Sequence, residues 1–170
     1  KEKAQVCAAC HGPDGNSPSG QYPSLAGQGE PYLIKQLKAY KSGARENAIM
    51  QGQAANLSEQ DMQDLAAFFA EQTVQTGQVK PDLLEMGERI YRGGDVEKGI
   101  PACAGCHGPA GQGVDAAGFP ALAGQQPAYT ESQLRAFRAV GREDIGSMAK
   151  RDNDPQAMMR TLAAKMSDAQ

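Results

Sequence analysis

The sequence contains no tryptophan, two histidines and four cysteines, and aromatic residues make up only 5% of its 170 positions. With so few large rings, the chain has little material for an ordinary core. If it divides into two units of about 80 residues, each stands near the size where side-chain burial alone is barely sufficient. Something other than side chains is expected to fill the middle. No apolar run approaches the roughly 20 residues that a membrane-spanning helix needs. The opening "KEKAQVC" lacks the apolar stretch of a secretion signal, so the chain reads as either processed or cytoplasmic. A net charge of −3 excludes the basic footprint of a nucleic-acid-binding protein. Convincing apolar–polar alternation is also missing, so strands are not expected and the chain reads as all-α.

What is present is repeated. "VCAACHGPDG" from Val6 returns as "ACAGCHGPAG", with Cys7 and Cys103 standing 96 residues apart. "YPSLAGQ" from Tyr22 returns as "FPALAGQ" from Phe119, now 97 apart. Tyr32 answers Tyr129, Gln36-Leu37 answer Gln133-Leu134, and Tyr40 answers Phe137. "SGAR" ending at Arg45 resembles "AVGR" ending at Arg142. "MQGQAANLSE" from Met50 resembles "MRTLAAKMSD" from Met159, offset by 109, which places 12 extra residues within "EDIGSMAKRDNDPQAM". Repetition at this length denotes two copies of a domain rather than a solenoid. The polar stretch "TVQTGQVKP" is the expected boundary, giving domains 1–77 and 78–170.

Three segments read as helices. Glu30–Ser42 has Pro31 for its first turn, Gly43 as its stop and Leu33, Leu37 and Tyr40 on one face. Ser58–Gln72 opens with the capping pattern "SEQD" and continues with Met62, Leu65, Ala66 and Phe69. Asp82–Arg92 is the third. Both ends read as short, because each half shows a helix that the other lacks, and a longer natural chain is the expectation.

All four cysteines and both histidines lie in two Cys-x-x-Cys-His units: Cys7, Cys10 and His11, then Cys103, Cys106 and His107. This is the signature of covalent c-type haem attachment. On a helical turn, positions three apart share a face, so two thiols can add to the vinyl groups along one porphyrin edge. The adjacent histidine then reaches the iron. Zinc half-sites, redox dithiols and disulfides also use Cys-x-x-Cys, but none of them requires the repeated histidine. With no further histidine or cysteine, methionine is the candidate for each iron's remaining position. Met62 and Met86 sit on helix stripes and read as core. Met50 sits in what reads as a polar loop, where packing alone would not demand it. In the second half the "AA-x-x-S-[DE]" register favours Met159, with Met158 and Met148 as the alternatives. Pro23 and Pro120 follow the histidines by 12 and 13 residues, and are candidates to pack on the imidazoles. Arg45 and Arg142 are candidates to pair with haem propionates, or are solvated.

The two "C-A-x-C-H-G" motifs, "YPSLAGQGEPYLIKQL", "FPALAGQQPAYTESQL", "RGGDVEKGIPAC" and the two Met-x₃-Ala-Ala segments carry a resemblance to the dihaem cytochrome c4 family. It covers nearly the whole chain. The resemblance implies two tandem cytochrome c-like domains, each wrapped around one covalent haem c, with axial pairs His11/Met50 and His107/Met159. It implies haem edges that meet near the domain interface. It also places Gly87 and Tyr91 on a helix that crosses the domain's last helix. An electron carrier of a bacterial respiratory chain is then expected, periplasmic, with peripheral membrane association. Its partners would be an electron-donor complex and a terminal oxidase, and nucleic acid is not among them. Similar dihaem subunits serve flavin-containing sulfide dehydrogenases, which is the alternative role. A dihaem enzyme would need an open iron, and the paired methionines argue against one. Residues 1–77 carry 6 Lys/Arg against 8 Asp/Glu and residues 78–170 carry 11 against 12, so weak, transient docking is expected.

Overall fold

The computed structural model describes residues 2–77, 80–142 and 150–170. Among the described residues eight α-helices follow one another: α1 (Gln5–His11), α2 (Glu30–Ser42), α3 (Ala48–Ala54), α4 (Glu59–Ala70), α5 (Pro81–Gly93), α6 (Ala104–His107), α7 (Pro127–Arg142) and α8 (Met158–Ala163). Among the described residues there is no β-strand, only the isolated bridges Asp95–Ile100 and Val114–Phe119. Among the described residues no helix is long and apolar enough to cross a membrane.

The helix signals in the sequence act as expected. Pro31 lies in the first turn of α2, and Gly43 ends that helix in the left-handed region at φ 79°. Ser58 caps α4 by accepting the Asp61 N–H, while the Asp61 carboxylate accepts the Ser58 N–H in return. This box satisfies two N-terminal donors at once. Ser58→Ala is expected to cost about 1 kcal/mol of unfolding free energy, read from a thermal or denaturant melt.

In the first half α2 lies against α3 and α4. Leu33, Leu65, Ala66 and Phe69 form its apolar cluster with Ala4, and Cys7, Leu25, Ile34, Leu57 and Phe68 pack around them. In the second half α7 lies against α8. A β-carbon on Gly141 would stand 2.5 Å from the Arg160 carbonyl oxygen, so only glycine permits that close approach.

The two halves repeat in three dimensions as they do in sequence. The α1/α6, α2/α7 and α3/α8 pairs correspond. Ala54 and Ala163, 109 residues apart, are both buried at 0–1% exposure, and each carbonyl accepts the N–H three residues on, from Leu57 and Met166. This places Met50 and Met159 at equivalent positions. Met50 is not in a loop: it lies in the first turn of α3, where its N–H is capped by the Asn47 side chain. Met148 and the residues 143–149 around it lie outside the described residues, as does Gln78 at the expected boundary. Just before that boundary, Val74 is wedged between the halves. A β-carbon on Gly27 or Gly124, both at positive φ, would come within 2.4 or 2.2 Å of its two methyl groups.

Candidate functional site

Each Cys-x-x-Cys-His unit occupies a short helix that ends at its histidine, α1 in one half and α6 in the other. The glycine after each histidine has the same positive-φ backbone, φ 81° and ψ 155–156°, which turns the chain away at once. None of the four cysteines is in a disulfide. Burial pushes the Cys7 and Cys103 thiols up, and the neighbouring Cys10 and Cys106 add to the effect. A raised thiol stays protonated and resists casual oxidation.

Both histidines are buried, and both spend Nδ1 on a carbonyl. His11 Nδ1 lies 2.8 Å from the Pro23 oxygen, and His107 Nδ1 lies 2.8 Å from the Pro120 oxygen. A carbonyl oxygen can only accept, so Nδ1 must carry the proton. Nε2 is then the nitrogen left for a metal, and it makes no hydrogen bond among the described residues. Burial holds His11 below its ordinary pKa, partly countered by the Pro23 carbonyl, and favours the neutral ring that a metal requires. Tyr22 and Phe119 pack edge-on against the two rings at 6.4 and 6.3 Å. The two prolines therefore act through their own carbonyls. In the second half Tyr91 adds a hydrogen bond from its hydroxyl to the Gly108 carbonyl, 2.5 Å long. Gly87, expected at a helix crossing, has nothing within 4 Å of a β-carbon placed on it.

Between the halves lies a second polar cluster. Arg45 is buried, and its guanidinium donates to Gln36 of its own half and to Tyr129 and Gln133 of the other, each at 2.8 Å. Arg151 mirrors it, donating to Gln133 of its own half and to Tyr32 of the other, both at 2.9 Å. Each guanidinium also stacks on a ring, Tyr40 at 4.7 Å and Phe137 at 4.5 Å. Each backbone N–H binds an equivalent carbonyl, Ala39 or Ala136. Arg151, not Arg142, is therefore the counterpart of Arg45. Arg142 instead ties α7 to the end of α8 through the Ala164 and Met166 carbonyls. The sequence comparison missed this because inserted residues separate Arg142 from Arg151. Burial acts to raise the Tyr32 hydroxyl, but Arg151 and Arg45 outweigh it and hold the group below its ordinary value.

Neither Arg45 nor Arg151 meets a carboxylate among the described residues. Buried cations ordinarily pair. Two cysteine pairs, two imidazoles with Nδ1 committed to a carbonyl, and two buried guanidiniums at the interface form a donor set that fits two haems with propionates.

Comparison with known proteins agrees. The family described as Cytochrome c matches residues 3–73 and 85–170. Cytochrome c4 of Pseudomonas aeruginosa is 47% identical over 98% of this chain and 79% of its own length. The crystal structure of reduced recombinant cytochrome c4 from Pseudomonas stutzeri superposes with a TM-score of 0.90 at 45% identity, covering 99% of this chain and 89% of that one. A thiosulfate dehydrogenase electron acceptor of Thiomonas intermedia is 40% identical over 99% of this chain and 75% of its own length. The chain belongs to the cytochrome c family, in its cytochrome c4 branch, and is a two-domain, dihaem c-type electron carrier.

Proposed function

We propose that the haems are bound through Cys7, Cys10 and His11 in domain 1–77 and through Cys103, Cys106 and His107 in domain 78–170. Met50 and Met159 would supply the second protein ligand to each iron. The observation that carries this reading is the twofold repetition of one arrangement: a buried imidazole with Nδ1 committed to a proline carbonyl, and a methionine at one register before a fully buried alanine. When bound, haem iron takes up and releases one electron, and a His/Met pair favours the reduced state. The protein's own residues do the rest. The proline carbonyls fix the imidazole tautomer and ring angle. Arg45 and Arg151 would hold propionates at the interface, where a guanidinium suits a carboxylate. With a histidine and a methionine held for each iron, neither iron would be open to substrate, which supports a carrier rather than an enzyme.

Covalent attachment of this kind belongs to an oxidising compartment, so a bacterial periplasm is the proposed location. The electrons pass from a donor complex towards a terminal oxidase. A second role is favoured by the relative named as a thiosulfate dehydrogenase electron acceptor: this chain would then take electrons from a sulfur-oxidising enzyme. The alternative reached from sequence, a subunit of a flavin-containing sulfide dehydrogenase, has the same chemistry with a different donor.

Haem content and carbon monoxide binding test the reading together. Two covalent haems per chain, neither binding carbon monoxide rapidly, is the expected result. Rapid binding at one haem would mean an open iron, and would turn the assignment towards an enzyme.

A further inference from the structure

The repeated "LAGQ" places one glutamine in each half, Gln28 and Gln125. Each reaches across the interface to the backbone of the other half. Gln125 Oε1 accepts the Ser24 N–H at 2.8 Å, and its Nε2 donates to the Ser24 carbonyl at 3.0 Å. Gln28 does the same to Ala121, accepting its N–H at 2.8 Å and donating to its carbonyl at 3.0 Å. Gln28 is 6% exposed and Ala121 8%, so that exchange is shielded from water; Ser24 is buried too, while Gln125 is half-buried, so its exchange is partly shielded.

The residue each glutamine grips is the one after the histidine's proline. Pro23 C=O and Ser24 N–H belong to a single peptide group, and so do Pro120 C=O and Ala121 N–H. The carbonyl end of each group accepts a histidine Nδ1–H, and its N–H end is held by a glutamine from the other domain. An amide whose N–H is engaged carries more negative charge on its oxygen, and hydrogen bonds in such a chain strengthen one another. A stronger acceptor draws on the Nδ1 proton and makes Nε2 a better donor.

We infer that Gln28 and Gln125 are crossed positioning residues: each domain sets the donor strength of the other domain's histidine through one shared peptide group. The inference rests on His11 and His107 being the axial ligands. Better imidazole donation stabilises the oxidised iron, so loss of the contact raises the potential. Gln125→Met is then expected to raise the potential of the haem beside His11, in the other domain, and Gln28→Met that of the haem beside His107. About threefold in the one-electron equilibrium constant is expected, roughly 28 mV at about 59 mV per tenfold.

The test is a redox titration in which proton NMR reports each haem separately. Methionine keeps the glutamine's length and removes both polar ends. If Gln→Met does not fold, Gln→Asn withdraws the amide by one methylene and is read the same way. A crossed pattern, each variant moving the opposite haem upward while the methionine–iron band stays whole, supports the relay. A shift confined to the variant's own domain, equal shifts at both haems, or no shift overturns it. The underlying axial assignment is checked separately in the unmodified protein. If it fails, the ring protons of His11 or His107 lack paramagnetic shifts. If only the relay fails, the rings are shifted and the potentials are uncrossed.

Discussion

Met159→Ala is expected to remove half of the near-infrared methionine–iron charge-transfer absorption and to lower the potential of one haem, while Met158→Ala leaves both unchanged. The expectation rests on register. Ala54 and Ala163 are the most deeply buried residues of α3 and α8, and they fix how each short helix is rotated. Counting back four positions gives Met50 in one half and Met159 in the other. Met158 lies one position away, about 100° round the helix, and is 40% exposed. The side chain that copies Met50 is therefore Met159. Thioether ligation stabilises the reduced iron, so its loss lowers the potential. Loss of half the band in Met158→Ala or Met148→Ala, with Met159→Ala intact, would overturn the assignment. Met50→Ala is the matched control, removing the other half.

How much of this was legible in the sequence depends on the length scale of each signal. The helix limits at Glu30–Ser42 and the Ser58 cap were readable because proline, glycine and a capping box act within one turn. The haem ligands were readable because their chemistry demands fixed spacing. From sequence Met50 reads as a loop residue because α3 is only seven residues long, too short for a periodic signal. Arg151 was missed for a different reason. Its role is set by a backbone bond to Ala136 and by residues of the other domain, contacts that span an insertion. Gln28 and Gln125 stood in plain view within "LAGQ", but a repeated glutamine does not reveal that its partner is a peptide group about 100 residues away. The repeat identified the positions, and only the fold identified what they grip.

The chain without its haems is expected to lose cooperative folding. The variant with Cys7, Cys10, Cys103 and Cys106 all replaced by alanine should show no sharp thermal transition, and should lose more than half of its far-ultraviolet helical signal. The reason lies in what the core is made of. Among the described residues, nine of the seventeen buried apolar residues are alanine, which bury little area. The first half has Leu33, Met62, Leu65 and Phe69 as its large buried groups, too few to offset the conformational entropy of a domain of that size. The helices that carry the cysteines and Met50 are also short: α1 and α3 of the first half have seven residues each and α6 of the second half has four, lengths that do not persist alone in water. A large apolar macrocycle, bonded at two thiols and one imidazole, supplies the missing area and anchors those turns, and its removal takes away both at once. The partial variant Cys7→Ala/Cys10→Ala separates the domains. The first half should unfold while the second keeps its haem, and amide hydrogen exchange should report α1–α4 as exposed and α5–α8 as protected. A sharp melt in the fourfold variant would show instead that the protein core suffices by itself. The crossed glutamines and the Arg45–Arg151 cluster would then be the contacts that make it sufficient, because they join two weak halves into one larger unit.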